Sequence, residues 1–433
     1  MSDKFNNNTQ NQINLDNNNQ VFALGCRLNF FEAELLKKQV NASGMKNTII
    51  VNTCTVTNQA NRQSMQLVRK LKKNNPSAKI IITGCGAQID HKKFAQMPEV
   101  DKVIGNNHKF SIEAMLSDEK IVINDDDKNI FKVDSNSIPQ IDGFENKTRA
   151  FIQIQQGCDH KCSFCIINKA RGGSVSLPFS HIIEQIQKAV NFGHNEVVLT
   201  GVDISSYNRN VFNDEESQIG KLCKQILYEV KNLARLRLSS LDPAVVDNNI
   251  LDLLKNEEKF MPHLHLSLQS FNNSVLKNMG RRHSKESALQ WIDDIKTANP
   301  KVLLGADFIC GFPRESESQF LDTLQSIQQA KLSFLHIFPY SPREGTPAYN
   351  MKNIDSNELK RRTQVMYTLS ENLKLELFKS KLNTYIEVLV ESNNMGYSQD
   401  YCLSEIIGNK VPKGSIVIAK VIDYNQKSLI AKI

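Results

Sequence analysis

Residues 149–165 read RAFIQIQQGCDHKCSFC, a stretch in which a strand-like segment runs directly into three cysteines. Apolar and polar residues alternate over RAFIQIQQ, which predicts a strand. Cys158, Cys162 and Cys165 follow at CxxxCxxC spacing on what must be a loop. Cysteines clustered in this way in a large chain without a secretion signal are typical of a metal centre. This loop is the strongest signal in the sequence.

The spacing favours an iron–sulfur cluster over zinc. A cubane 4Fe–4S cluster is normally held by four thiolates, so three leave one iron open. The amino and carboxylate groups of S-adenosylmethionine can chelate an open iron, and an electron from the cluster can then cleave the sulfonium. Structural zinc sites need four ligands, often as paired CxxC elements, and only His160 lies near enough in sequence to complete one. We interpret His160 as a non-ligand and the three cysteines as ligands of a radical-generating cluster.

Three further cysteines end short apolar segments upstream. The segments are QVFALGC (20–26), TIIVNTC (48–54) and KIIITGC (79–85), each followed by a helix-like stretch. Strands that alternate with helices predict a parallel sheet, and ligands bind at the carboxyl ends of its strands. Burial explains any one of these cysteines alone. Their shared register instead predicts that Cys26, Cys54 and Cys85 converge as ligands of a second cluster.

A second series of strands follows the loop. EVVLTGVDIS, RLRLSSLDP, HLHLSLQS, LLGADFICGFP and FLHIFPYSP alternate with helix-like segments over about 200 residues. This pattern predicts a parallel barrel, complete or partial, with its active site at the carboxyl ends of the strands. The polar and glycine residues expected around that mouth are Thr200, Gly201, Asp203, Ser239, Ser240, Gln269, Asp307 and Gly311. Structural capping of the strands explains any one of them equally well.

Composition divides the chain into segments. Residues 1–19 are rich in asparagine and glutamine, which predicts a disordered tail. We expect a cluster domain over 20–125, a barrel over 144–375 and a small antiparallel β-barrel over 380–433, whose strands include YIEVLVE, GSIVIAKVIDY and SLIAKI. Residues 115–147 are interpreted as a linker with an edge hairpin.

Charge and hydropathy indicate the surroundings. The chain has 433 residues, a net charge of +7 and 40% apolar residues, and it lacks an apolar run of the roughly 20 residues that would span a bilayer. We expect a cytoplasmic protein without membrane contact. Two basic segments, 61–73 and 359–381, are candidates for phosphate binding, although helices also display lysines on solvated faces. Packing is the expected role of Cys223, Cys310, Cys402, Trp291, His263 and His265.

The chain resembles the methylthiotransferase family of radical enzymes from about Gln20 to its end. GCRLNFFEAE (25–34), NTCTVTNQA (52–60) and GCDHKCSFCII (157–167) are most similar to the branch that acts on N6-threonylcarbamoyladenosine in tRNA. Two sister branches act on isopentenyladenosine in tRNA and on an aspartate of a ribosomal protein. They typically have Gln-Met or Pro-Lys after the leading cysteine, where this chain has Arg27-Leu28.

The resemblance implies an enzyme of α/β class with three parts: a Rossmann-like cluster domain, a partial TIM-type barrel, and a small antiparallel TRAM barrel that binds RNA. It implies two 4Fe–4S clusters and two uses of S-adenosylmethionine, one to methylate a sulfur carried at the first cluster and one for cleavage at the second. The product carries methylthio at C2 of the adenine at position 37, in the tRNA anticodon loop. The implied partners are this tRNA and an electron donor such as flavodoxin or ferredoxin. The sulfur donor is unknown, and a monomer is expected.

The sequence departs from the family pattern just after the second triplet of cysteines. Asn168 stands where the family usually has proline, and the stretch Gly173 to Ser176 within GGSVS (172–176) replaces a basic end, while Arg171 and Gly172 are retained. Phe271 stands where glycine is common. A catalytically impaired, RNA-binding iron–sulfur protein is therefore an alternative of another class, beside the two sister substrates.

Overall fold

The computed structural model describes residues 19–123, 140–145, 147–207 and 218–433. The chain forms two compact units. Unit 1 comprises Met1–Ile141, Gln155–Val175 and Ser341–Tyr349, and unit 2 comprises Asp142–Ile154, Ser176–Tyr340 and Asn350–Ile433. The predicted disordered tail lies outside the described residues except for Asn19. The predicted domain limits at 20–125, 144–375 and 380–433 remain a prediction.

Strands and helices alternate along most of the chain. The strands are β1 (Gln20–Ala23), β2 (Thr48–Thr53), β3 (Lys79–Gly84), β4 (Lys102–Ile104), β5 (Ile121–Val122), β6 (Arg149–Gln153), β7 (Gln155–Gln156), β8 (Val175–Ser176), β9 (Glu196–Thr200), β10 (Arg235–Leu238), β11 (Ser240–Leu241), β12 (His263–Gln269), β13 (Leu303–Cys310), β14 (Phe334–Pro339), β15 (Tyr385–Ser392), β16 (Met395–Ser398), β17 (Leu403–Ile407), β18 (Ile416–Tyr424) and β19 (Leu429–Lys432). The helices are α1 (Arg27–Ala42), α2 (Asn58–Asn74), α3 (Cys85–Ala95), α4 (Ile112–Leu116), α5 (Ile167–Arg171), α6 (Phe179–Asn191), α7 (Ile219–Glu229), α8 (Asn248–Asn256), α9 (Asn273–Met279), α10 (Lys285–Ala298), α11 (Glu317–Gln329) and α12 (Ser356–Ser380). Across the described ranges, no helix combines the length and the apolarity needed to cross a membrane.

Unit 1 is built on a five-stranded parallel sheet in the order β1-β2-β3-β4-β5. Alternate strand residues face opposite sides, so Ile50 and Ile81 pack with α1 and α4, while Ile49 and Ile80 pack with α2 and α3. A parallel sheet with helices on both faces confirms the predicted Rossmann-like architecture. The expected edge hairpin is wrong at β5, which pairs parallel to β4. The rest of that expectation falls on 124–139 and 146, outside the described residues.

Unit 2 contains the parallel strands of a partial barrel. One sheet has the order β10-β9-β6 and a second the order β11-β12-β13-β14, and all their pairs are parallel. Ser239 alone separates β10 from β11, so the two sheets follow one another through a single interrupted strand. Helices α6 to α11 connect these strands. The predicted partial barrel is confirmed.

The last part of unit 2 is a closed barrel of five strands in the order β15-β16-β17-β19-β18. Its interior is apolar and includes Val388, Val390, Val421 and Ala431. The small barrel is confirmed, but its description as wholly antiparallel is wrong for one pair, because β17 and β19 run parallel. The long strand β18 pairs with both β15 and β19, which brings β19 back beside β17 in the same direction.

A buried ionic group lies between the small barrel and the amino ends of β6, β9 and β10. Arg237 Nε donates to Glu196 Oε1 at 2.9 Å, and both side chains are fully buried. Arg149 donates from Nε to Glu391 Oε1 at 2.7 Å and from Nη1 to the hydroxyl of Tyr401 at 2.8 Å. The small barrel is therefore fixed to the end of the strands where, in parallel barrels, residues serve stability rather than catalysis.

Candidate active site

The first three cysteines lie together at the carboxyl edge of the sheet of unit 1. Cys26 precedes α1, Cys54 directly follows β2, and Cys85 is the first residue of α3. Because β1, β2 and β3 are adjacent and parallel, their ends meet at one edge. Burial and the neighbouring charges of Cys26 and Cys85 raise the pKa of the Cys54 thiol to about 12. The three thiols are thus within electrostatic reach of one another.

Glycines keep space open around these thiols. Gly25 and Gly84 each have a φ of +93°, a backbone conformation that costs other residues about 1–3 kcal/mol. A Cβ added at Gly25 would lie 2.5 Å from Cys54 Sγ, and one at Gly84 would lie 2.5 Å from the carbonyl oxygen of Thr53. The Gly-Cys pairs of the sequence are therefore required by the close approach of the strand ends.

A fully buried ionic network supports the first triplet. Glu32 on α1 is 0% exposed and accepts hydrogen bonds from Arg171 Nη1 at 2.8 Å and Asn52 Nδ2 at 3.0 Å. Lys109 Nζ lies 2.5 Å from Glu32 Oε1. Burial alone would raise the pKa of Glu32, but Arg171 and Lys109 hold it at about 2. The carboxylate is therefore ionised at neutral pH.

Asn29 connects this network to the cysteines. Its Oδ1 accepts from Arg171 Nη2 at 2.7 Å and lies 3.7 Å from Cys26 Sγ. Its Nδ2 donates to the carbonyl oxygens of Leu24 at 2.7 Å and Thr53 at 3.2 Å. One side chain thus fixes the ends of β1 and β2. Asn29 and Glu32 are polar residues on the buried face of α1, and their spacing of three is the signal that sequence analysis passed over.

The second triplet lies on a loop of the same compact unit, and Cys158, Cys162 and Cys165 are each half-buried. The loop closes on the glycines that follow α5. The amide of Cys158 donates to Gly172 O at 3.0 Å, and a Cβ added at Gly157, whose φ is +69°, would lie 1.8 Å from Gly173 O. Residue 157 must therefore be glycine for this closure.

Residues that depart from the family pattern build this loop. Asn168 Nδ2 donates to the carbonyl oxygen of Cys158 at 2.7 Å, a hydrogen bond that proline cannot make. The hydroxyl of Ser174 accepts from Gln155 Nε2 at 2.9 Å, and the amide of Ser174 donates to Asp159 Oδ1 at 2.9 Å. The residues that differ from the family pattern thus form hydrogen bonds that stabilise this loop.

The donors present fit iron–sulfur clusters. Thiolates are the ligands that hold such clusters, and each triplet supplies three cysteines within unit 1. Arg171 Nε donates to Cys85 Sγ at 3.0 Å. The individual roles of the six cysteines remain a prediction.

The residues predicted to bind S-adenosylmethionine lie in unit 2, at or just after strand ends. Thr200 ends β9 and Gly201 follows it, Ser239 and Ser240 lie where β10 passes into β11, and Gln269 ends β12 with a φ of +67°. Asp203 directly precedes a turn of 3₁₀ helix, and its carboxylate accepts from the hydroxyl of Ser206 in that turn at 2.5 Å. Gly311 directly follows β13. Contact with the cofactor remains a prediction for Thr200, Gly201, Asp203, Ser239, Ser240 and Gln269.

Asp307 lies in the middle of β13, so its expected place at a strand end is wrong. Its Oδ1 lies 2.9 Å from His265 Nε2 and 3.2 Å from His336 Nδ1. The register of β12, β13 and β14 puts the three side chains on one face, opposite the buried Leu266, Ala306 and Ile337. His265 therefore takes part in a polar cluster and does not serve packing alone.

Family models match two regions of the chain. The Radical SAM superfamily matches residues 152–327, and the Uncharacterized protein family UPF0004 matches residues 19–105. A threonylcarbamoyladenosine tRNA methylthiotransferase of Rickettsia prowazekii is 41% identical over 88% of this chain and 90% of its own length. The chain belongs to the radical SAM methylthiotransferases. Membership of this family implies a 4Fe–4S cluster and S-adenosylmethionine as cofactors.

More distant comparisons agree with this methylthiotransferase assignment. The enzyme of the same name from Bacillus subtilis is 31% identical over 92% of each chain. A tRNA-2-methylthio-N(6)-dimethylallyladenosine synthase of Pelagibacter ubique is 29% identical over 95% of this chain and 97% of its own length. A solved radical S-adenosylmethionine methyltransferase from Kitasatospora setae shares the fold, with a TM-score of 0.55, 12% identity and 77% coverage of each chain.

The two basic segments of the methylthiotransferase differ in the state of their charges. In 359–381, Arg361 and Arg362 pair with Glu358 and Lys381 pairs with Asp400, while Lys360 and Lys379 are exposed. The segment 61–73 lies on α2, where Arg62, Arg69, Lys70 and Lys73 are exposed and Lys72 pairs with Asp101. The helix α2 is therefore the better candidate for phosphate binding.

The remaining sequence-predicted core residues are buried. Cys223, Cys310, Cys402 and Trp291 are each at most 1% exposed. Burial raises the pKa of Cys310 to about 11, which makes it a poor nucleophile. His263 stacks on Tyr401 with ring centroids 4.7 Å apart.

Proposed function

We propose that this methylthiotransferase adds a methylthio group to C2 of N6-threonylcarbamoyladenosine at position 37 of tRNA. The observation that carries the proposal is the pair of cysteine triplets within one compact unit. Sulfur insertion needs both a site that carries sulfur and a site that generates a radical. A simple electron carrier would not need the additional barrel of unit 2.

The choice of substrate is supported by the relatives. The Rickettsia enzyme, whose name specifies threonylcarbamoyladenosine, is 41% identical to this chain, whereas the Pelagibacter enzyme, whose name specifies dimethylallyladenosine, is 29% identical. Arg27-Leu28 after the leading cysteine also differs from the Gln-Met and Pro-Lys of the sister branches. Isopentenyladenosine and a ribosomal aspartate are the alternative substrates.

We propose two 4Fe–4S clusters. Cys158, Cys162 and Cys165 would hold the one that supplies the electron for cleavage of S-adenosylmethionine, and Cys26, Cys54 and Cys85 the one that carries the sulfur. Contacts within the chain would hold these cysteines in place. Gly157 and Asn168 shape the second loop, and Asn29 fixes the strand ends of the first site.

Unit 2 would hold S-adenosylmethionine and the adenine. Thr200, Gly201, Asp203, Ser239, Ser240 and Gln269 are the proposed cofactor-binding residues, and Asp307 would orient His265 and His336 on the neighbouring face. A base in the single-stranded anticodon loop can be splayed out without unpairing a duplex. The small barrel and α2 are the proposed tRNA-binding surfaces.

The remaining partners are chosen on chemical grounds. Each reduction takes one electron, so a one-electron carrier such as flavodoxin or ferredoxin is the proposed donor. The cytoplasm is the proposed location because tRNA is modified there. A monomer is expected, which analytical ultracentrifugation would test.

Cysteine variants test the separate roles proposed for the two clusters. Replacing Cys158 with alanine should remove one cluster's iron and abolish release of 5′-deoxyadenosine from S-adenosylmethionine. Replacing Cys54 should remove the other cluster's iron, spare 5′-deoxyadenosine release and stop methylthio transfer to tRNA. Cys223→Ala is the control and should change neither. Iron content unchanged in either ligand variant would contradict the two-cluster proposal.

Substrate tRNA tests the reaction and excludes the alternative class. Anaerobic reaction with tRNA that carries threonylcarbamoyladenosine should yield its methylthio derivative, while tRNA that carries isopentenyladenosine should be unchanged. A protein that binds tRNA and both clusters but releases no 5′-deoxyadenosine would instead be an impaired RNA-binding protein.

A further inference from the structure

We propose that Arg171 is a positioning residue that raises the reduction potential of the cluster at Cys26, Cys54 and Cys85 and fixes Cys85 as its ligand. This inference rests on the proposed function, because it requires that the first triplet hold a cluster. It assigns to Arg171 a role distinct from binding tRNA or S-adenosylmethionine, since the residue is 2% exposed.

The guanidinium of Arg171 is directed at the first triplet on two sides. Its Nε donates to Cys85 Sγ at 3.0 Å, and its Nη2 donates to Asn29 Oδ1 at 2.7 Å, next to Cys26. Its Nη1 donates to Glu32 Oε1 at 2.8 Å. Only the planar fork of arginine makes these hydrogen bonds at once, because lysine presents a point charge.

The buried charges beside the first triplet have a positive sum. Glu32 contributes one negative charge, while Arg171 and Lys109 each contribute a positive one, and all three side chains are at most 1% exposed. Reduction adds an electron to a cluster, and nearby positive charge in a poorly solvated site stabilises the added electron. Hydrogen bonds to cluster sulfurs and local net charge are the main protein controls on such potentials.

Hydrogen bonds to the neighbouring backbone also hold Arg171 in place. The carbonyl oxygen of the preceding Ala170 accepts from Asn106 Nδ2 at 2.7 Å, and Asn106 Oδ1 accepts from Lys109 Nζ at 3.1 Å. The next residue, Gly172, accepts from the amide of Cys158 at 3.0 Å. Arg171 therefore lies between the two triplets, with its backbone tied to the second and its side chain to the first.

The potential of the first cluster can be measured alone. The parent protein is the full chain with Cys158, Cys162 and Cys165 changed to alanine and its remaining cluster reconstituted anaerobically. It is titrated with dithionite in the presence of redox dyes, and EPR measures the amount of reduced cluster. Arg171→Gln should keep the parent's iron content and lower the midpoint potential. Arg171→Lys, which keeps the charge and loses the fork, should give an intermediate potential. Resonance Raman should show Fe–S(Cys) stretches shifted in both variants.

The matched control is Arg237→Gln, because Arg237 is another fully buried arginine paired with a buried glutamate, Glu196, and lies in unit 2. It should leave the potential unchanged. If Arg171→Gln binds as much iron as the parent protein and has the same midpoint potential, the inference is wrong. If Arg171→Gln loses iron, the test uses Arg171→Lys instead. A midpoint potential and a Raman spectrum equal to those of the parent protein in Arg171→Lys would likewise contradict the inference. A parent protein that binds no iron would instead contradict the proposed function.

Discussion

Asp307 orients two imidazoles with one carboxylate oxygen. Its distances to His265 and His336 are 2.9 and 3.2 Å, and all three side chains lie on one face of the barrel strands. Asp307→Asn should leave iron content unchanged and lower the rate of methylthio transfer about 10- to 100-fold, because the proposed active site would lose the group that orients both imidazoles. Single-turnover product formation measures this. Asp322→Asn, which alters an acid paired to Lys285, should retain the rate, and equal rates in both variants would contradict the role.

Glu315 makes stability depend on pH. Burial raises the pKa of this carboxyl to about 7, against the opposing effect of Arg362, while an unfolded glutamate titrates near about 4.3. Between these values the folded state holds a proton that the unfolded state has released, so stability from this group falls as pH rises, by at most about 1.4 kcal/mol per pH unit. The loss ends above about pH 7.

The glutamine variant isolates this effect. Thermal midpoints of the cluster-loaded proteins are measured from pH 5 to pH 8. The midpoint of the unaltered protein should fall more steeply as pH rises than that of Glu315→Gln. Glu258→Gln, which changes an exposed acid elsewhere in unit 2, is the control. Identical pH profiles for Glu315→Gln and the unaltered protein would rule out the raised pKa.

The loop that carries the second triplet depends on a glycine. Gly157→Ala should lose the iron of that cluster, because its Cβ would overlap Gly173 O at 1.8 Å. Gly193→Ala is matched in its positive φ of +106° but meets nothing within 4 Å, so it should cost only about 1–2 kcal/mol of backbone strain. Iron analysis of both proteins distinguishes steric from conformational effects. Full iron in Gly157→Ala would show that the loop closes differently.

Elements were more predictable than their pairing. Runs such as TIIVNT and KIIITG predicted β2 and β3 because buried parallel strands are continuously apolar. The strands β16 and β17 were not predicted because MGYS and LSEII are short and carry too few apolar residues in a regular pattern. The parallel pair β17–β19 could not be predicted, since chain order does not specify which strand a returning segment joins.

The basic face of α2 exposes Arg62, Arg69, Lys70 and Lys73. Arg69→Glu, Lys70→Glu and Lys73→Glu together should weaken tRNA binding about tenfold or more, and should flatten the dependence of log Kd on log salt by about one for each phosphate that is no longer neutralised. Lys221→Glu, Lys231→Glu and Lys255→Glu together change the same charge on exposed residues of unit 2. Filter binding at several salt concentrations compares them. Equal weakening in both triple variants would indicate a nonspecific effect of net charge.

The cysteines of the site were predictable because binding of a metal cluster requires a regular spacing of its ligands in the sequence. CxxxCxxC and three cysteines in one register are local patterns, so sequence analysis found them. The partners of Glu32 come from residues 109 and 171, far apart in the chain, and lysine at a buried position has no local signature. Only folding of the whole unit brings such charges together, as it also does for His265, Asp307 and His336.

The nucleoside content of tRNA from a strain that lacks this protein tests the central proposal most directly. Mass spectrometry should show that 2-methylthio-N6-threonylcarbamoyladenosine disappears and its unmethylthiolated precursor accumulates, while methylthio-isopentenyladenosine is unchanged. A plasmid-borne copy should restore the mark, and a Cys54→Ala copy should not. Persistence of the methylthio-threonylcarbamoyl mark, or loss of the isopentenyl one instead, would contradict the account.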